Sequence, residues 1–249
     1  MSLYEQQAQR ELQQWKRKVS RKPSMANRFA KSAQTKINNI IPEKIHNAIT
    51  NTVKQMVRGV LFGATYTVPD VAPELSLEQR EELVKQRIDF YKKTAAAEGG
   101  VTGMGGIILG LVEFPILLGI KLKLQFDIAA YYGHDVRDFK ERLYILQIFQ
   151  LAFSSQDHRQ LIYKELEQWN LRTASLPENI NEFDWRTFQQ EYRDHIDLAK
   201  MAQLIPVIGA VVGVVVNYRL LSRLGETAMN AYRMRWFERQ YLSESPNNN

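Results

Sequence analysis

No cysteine occurs among the 249 residues, so disulfides, thiolate metal sites and cysteine nucleophiles are excluded. Histidine is nearly as scarce. His46, His134, His158 and His195 make the full set of four, and none belongs to His-Glu-x-x-His or another compact metal signature. Neither a metal nor a cofactor is expected. No Gly-rich loop ends in Gly-Lys-Ser/Thr and no serine sits in Gly-x-Ser-x-Gly, which argues against a P-loop nucleotidase and a serine esterase. Near the start, Leu3, Leu12 and Val19 are scattered among charges, without the apolar run of a signal peptide. No window alternates apolar and polar residues between hairpin turns, so little or no sheet is expected.

What remains is a globular composition, 45% hydrophobic and 24% charged, carried on helical periodicity. Ser2 and Glu5 have capping-box spacing ahead of a stripe at Tyr4, Ala8, Leu12, Trp15 and Val19. A second stripe runs through Met25, Phe29, Ala33, Ile37 and Ile40, and a third through Ile45, Ile49, Val53, Met56 and Val60. Ser76 and Gln79 cap a helix through Leu77, Val84, Ile88, Tyr91 and Ala95, which Gly99-Gly100 can stop. Gly133 is placed to end the next helix, with Asp135 capping the one after and Asp138 complementing its dipole. That next helix reads through Leu143, Ile145, Ile148 and Leu151. Two less hydrophobic helices are expected at 156–170 and 181–200, and a final amphipathic helix carries Leu221, Leu224, Ala228, Tyr232 and Trp236. The fold expected is all-α: a compact multi-helix domain with two Gly-rich central apolar helices. A basic helical region at 1–62 packs on a core at 63–242, and 243–249 form a tail.

The two apolar windows are Val101 to Ile120 and Leu204 to Val216. Gly106 and Gly110, like Gly209 and Gly213, are four residues apart, which puts each pair on one helical face where another helix can approach closely. Glu113 and Asn217 continue those faces and are expected to meet if the faces meet; Lys121 or Arg219 are alternative partners for Glu113. Insertion as a hairpin and burial in a core are both open, but Glu113, Pro115 and the shortness of the second window favour burial.

The net charge of +6 is unevenly placed: residues 1–62 hold 12 Lys/Arg against 3 Asp/Glu. Lys16, Arg17, Lys18, Arg21 and Lys22 crowd together after Trp15, and Arg28 lies beside Phe29. As a membrane-surface site, Trp15 and Phe29 would sit at the interface while the cations meet anionic lipid. A solvated face needs no partner, and an acidic loop of an integral membrane protein is a further option. Nucleic acid is disfavoured, because charge is present without a zinc finger, a heptad-backed basic region or a helix-turn-helix pairing. If the chain were an enzyme, His134 with Asp135 and Asp127 is the cluster to test, since a carboxylate could orient the imidazole as a base.

The stretches Ala97-Glu98-Gly99-Gly100, Gly103 to Gly106, Gly110-Leu111-Val112-Glu113-Phe114-Pro115, Tyr132-Gly133-His134-Asp135 with Glu141-Arg142, and Ile205-Pro206-Val207-Ile208-Gly209-Ala210 with Asn217 form an ordered set. Together they resemble the EcsC family of bacterial proteins. The resemblance spans roughly residues 45–240. It implies an accessory task at or near the cytoplasmic membrane, because the family's namesake is encoded beside an ABC transporter linked to secretion. It implies no reaction. The protein is accordingly expected in the cytoplasm or peripheral on the cytoplasmic face of the membrane.

Overall fold

The computed structural model describes residues 1–21, 43–63, 67–102, 106–178, 180–184, 186–188, 190–191 and 209–244. At 44–46, 62–63, 96–102, 106–113, 156–157, 180 and 209–214 it describes the backbone alone. The helices are α1 (Leu3–Val19), α2 (Glu43–Arg58, running into a π turn at Gly59–Gly63), α3 (Leu77–Thr102) and α4 (Gly106–Tyr131). They continue with α5 (Phe139–Phe153), α6 (Gln156–Glu167), α7 (Trp169–Ala174), a 3-10 turn at Ile180–Glu182, and α8 (Gly209–Glu244). No strand occurs among the described residues, and the protein is all-α.

The capping chemistry sets two starts. Ser2 Oγ accepts from Glu5 N at 3.1 Å while Glu5 Oε2 accepts from Ser2 N at 2.8 Å, which closes the box on α1. Ser76 and Gln79 repeat the reciprocal pair at 3.3 and 2.9 Å ahead of α3. The stripes then choose the inward faces: Ala8, Leu12, Trp15 and Val19 of α1, Ile49, Val53, Met56 and Val60 of α2 and its π turn, and Leu77, Val84, Tyr91 and Ala95 of α3 are all buried.

Three helices are not amphipathic and lie inside this shell. Leu143 to Phe153 of α5 and Thr227 to Met234 of α8 are buried without interruption, so these segments are enclosed on all sides. Most of α4 from Leu117 onward is buried likewise. The 36 residues of α8 give an axis about 54 Å long that packs along α3 most extensively and also meets α5, α4 and α1. Gly225 permits the α3 contact: a Cβ there would lie 2.7 Å from Ile88 Cδ1 and 2.8 Å from its Cγ1.

Several boundaries differ from expectation. α3 passes through Gly99-Gly100 to Thr102, because two glycines weaken a helix without forbidding it. From Gly209 onward, the second apolar window and the final amphipathic helix are one element, since Asn217-Tyr218-Arg219 holds neither proline nor glycine to break α8. The helix expected at 156–170 divides at Gln168 into α6 and α7. Asp138 rather than Asp135 is the N-cap of α5, accepting from Lys140 N at 2.9 Å. Gly133, at φ +82°, ends the α4 segment as its spacing predicts. The stripe from Met25 to Ile40, and most of 181–200, lie outside the described residues.

Candidate functional site

Charged residues stand at positions of apolar stripes, and each is matched from another helix. Glu81 falls between Leu77 and Val84 on the inward face of α3 and is fully buried. Arg233 of α8 donates to it twice, Nε to Oε1 and Nη2 to Oε2, each at 2.6 Å. Tyr132 and Tyr4 hydroxyls add donors at 2.8 and 2.6 Å, and the remaining guanidinium nitrogen reaches Glu11 of α1 at 2.9 Å. Burial works against the charge on Arg233, but the hydrogen bonds and field of Glu81 outweigh it and hold the guanidinium above its ordinary value. One buried fork therefore ties α1, α3, the end of α4 and α8 together.

A second buried acid, Glu141 of α5, accepts from Tyr232 at 2.6 Å and Arg235 at 2.7 Å. Burial raises its carboxyl against the pull of Arg235. His134 Nδ1 lies 3.4 Å from the oxygen that Arg235 occupies, and its ring packs 5.2 Å from Tyr232. Glu141 would favour an imidazolium, yet burial first, and then the charges of Arg235, Arg239 and Arg80, push His134 down to about 3. The imidazole is neutral and weakly basic, and its buried Nε2 has no hydrogen-bond partner among the described residues.

Asp127 and Asp135, grouped with His134 by sequence, have other partners. Asp127 is buried on the α3 side of α4, held by Arg87 Nε at 2.8 Å, the Tyr91 hydroxyl at 3.0 Å and Lys123. Asp135 is exposed and bonded to Arg137. After the left-handed turn at Gly133, His134 meets Glu141 of α5 and Tyr232 of α8. Arg142, beside Glu141, joins α5 to the π turn after α2 by donating to Val60 O at 3.3 Å.

On α1 the basic face is divided. Trp15 is 6% exposed and packs edge-on to Tyr163 at 6.0 Å, so it belongs to the core and is not an interfacial residue, because it sits on the apolar stripe. Lys16 pairs with Glu167 at 3.0 Å and Lys18 lies 3.7 Å from Glu226. Arg10, Arg17 and Arg21 are exposed and have no carboxylate partner among the described residues. Lys22, Arg28 and Phe29 lie outside those residues, as do the side chains of Glu113 and the Gly106, Gly110, Gly209 and Gly213 faces. Asn217 is buried, and its Oδ1 accepts no hydrogen bond among the described residues.

Two cavities open on α8. A 490 Å³ cleft mixes Glu11 and Glu226 with Lys18, Lys92 and Arg233. A 380 Å³ cavity is lined by Arg80, Trp236 and Arg239 with no acidic residue. Sequence reading missed Glu81, Arg233 and Arg235, and noted Glu141 only within the family resemblance. The signal available was a charge on an apolar stripe, which marks a buried pair without naming its distant partner.

The family match runs through these elements almost end to end. Residues 6–237 match the EcsC protein family, from α1 through most of α8. Protein EcsC of Bacillus subtilis (strain 168) is 47% identical over 223 residues, covering 89% of this chain and 92% of the relative. The uncharacterized protein YdbA of the same organism is 32% identical over 141 residues, 57% of this chain and 52% of that protein. No solved structure matches. The chain belongs to the EcsC protein family.

Proposed function

We propose that this protein is a non-enzymatic accessory factor that works on the cytoplasmic face of the membrane, beside an integral membrane partner such as an ABC transporter. The observation that carries this reading is the fixed basic face of α1. Its apolar stripe is locked into the core by Ala8, Leu12, Trp15 and Val19, so Arg10 and Arg17 are held outward, and Arg21 is exposed just past the helix. A static cluster of cations attracts an anionic surface over about one Debye length, roughly 8 Å at physiological salt. Among the described residues, no helix is long and apolar enough to cross a membrane, which favours attachment at the surface over a span in those segments. The core acids support a structural use of buried charge, since Glu81, Asp127 and Glu141 are each engaged by two or more donors from within the fold.

Vesicle flotation tests the reading. The protein should float with phosphatidylcholine vesicles containing phosphatidylglycerol, and not with phosphatidylcholine alone. Binding to duplex DNA without binding to anionic vesicles would replace the membrane with nucleic acid as the partner.

A further inference from the structure

The first turn of α1 and the last turns of α8 meet at one pole of the molecule. Glu5 Oε1 accepts there from Gln240 Nε2 at 2.6 Å and from Trp236 Nε1 at 3.4 Å. The 380 Å³ cavity opens beside this contact, with Gly133, Gln240 and Ser243 completing the wall around Arg80, Trp236 and Arg239. The guanidinium carbons of Arg80 and Arg239 stand 5.8 and 5.6 Å from the same Trp236 ring centroid.

Neither cation is neutralised by a lining carboxylate. Arg80 donates to the carbonyls of Leu75, Tyr131, Ala72 and Pro73, which satisfy its hydrogens but carry no net charge. Arg239 has no carboxylate partner among the described residues. The acids nearby are committed or peripheral: Glu5 to Ser2, Gln240 and Trp236, Glu141 to Arg235 and Tyr232, while Glu74 acts on Arg80 only through its field. The two guanidinium groups also repel one another. Burial, and then the charge of Arg239, lowers Arg80, and the same cations depress His134. A concave site in which Arg239 keeps its planar donors, and the buried Arg80 adds charge behind it, suits a phosphate oxyanion.

Exposed apolar side chains occupy the same pole. Leu3 is 84% exposed, Tyr241 71% and Leu242 62%, flanking the residues that join α1 to α8. A free phosphate has no use for such neighbours. A bilayer satisfies both features, taking leucine and tyrosine at its interface and offering phosphate at the same depth.

We propose that this pole docks on the membrane surface, with the Arg80–Arg239 cavity receiving the phosphate of an anionic phospholipid. The inference rests on the membrane reading above and adds the contact itself. The exposed arginines of α1 supply long-range attraction.

Flotation of the full chain with phosphatidylglycerol-containing vesicles separates the two claims. Arg239→Gln should weaken binding about fivefold, the effect of one cation near an anionic surface, without changing the thermal melt. Leu242→Ser should weaken it as well, and added inorganic phosphate should not displace the protein. Full binding by Arg239→Gln, together with loss of binding when Arg10, Arg17 and Arg21 are all changed to Gln, would overturn the cavity and leave the membrane reading intact. Displacement by inorganic phosphate would overturn the lipid assignment in favour of a soluble oxyanion. No flotation by the unaltered protein would overturn both.

Discussion

Arg233 closes on Glu81 through two hydrogen bonds of 2.6 Å each, spanning 152 residues of chain, with the two side chains 2% and 0% exposed. A buried pair of this kind need not stabilise the fold relative to an apolar pair, but breaking it strands a charge. Arg233→Met should therefore cost about 3–5 kcal/mol in urea titrations. Combining it with Glu81→Leu should cost less than the sum of the two single changes, because the second substitution removes the stranded carboxylate. Additive losses would mean that the fork contributes no coupling between α3 and α8.

Gly225→Ala places a Cβ 2.7 to 3.1 Å from three atoms of Ile88. The β-branched side chain has little freedom to withdraw on a helix. Overpacking of about 1–3 kcal/mol should exceed the helix-propensity gain of about 1 kcal/mol. In an Ile88→Ala background the same change should become neutral or stabilising. A stabilising Gly225→Ala in the unaltered protein would show that α3 and α8 are not in close contact there.

The pair Gly225–Ile88 also shows where sequence reading stops. Periodicity located α1, α2 and α3 because each has one buried face, and the capping spacings at Ser2 and Ser76 marked true starts. It set the start of α8 apart from the rest, although nothing in Asn217-Tyr218-Arg219 breaks a helix. Glycines spaced by four drew attention to Gly209 and Gly213, whereas the close approach described on α8 is at a single glycine with no motif. Asp135 and Asp138 have equally good capping chemistry, and backbone geometry chose Asp138. His134 was singled out through neighbours in sequence, but its carboxylate contact is Glu141, seven residues on and across a turn.

His134 makes stability depend on pH. Its folded value near 3 lies below the ordinary 6.5, so the unfolded chain binds a proton that the folded one refuses. This contribution is complete above pH 6.5 and is lost as pH falls from 6.5 toward 3. The slope should approach about 1.4 kcal/mol per pH unit. Urea titrations at pH 7 and 5.5 read this loss, and His134→Gln should flatten the difference between them. An unchanged difference in that variant would show that His134 is not the titrating group.

Lys16→Ala should change stability little. Its pair with Glu167 is partly exposed, such pairs contribute about 0–1 kcal/mol, and the Tyr163 hydroxyl still donates to that carboxylate. Gly110→Leu and Gly213→Leu should cost more, about 1–3 kcal/mol, if their faces are packed against neighbouring helices as their spacing predicts. Urea midpoints of the three variants make the comparison.

The most direct measurement of surface association is cell fractionation followed by separate high-salt and alkaline carbonate washes of the membranes. An electrostatically bound peripheral protein should sediment with membranes in low salt and be released by high salt. Recovery wholly in the soluble fraction at low salt, or retention through carbonate, would contradict it.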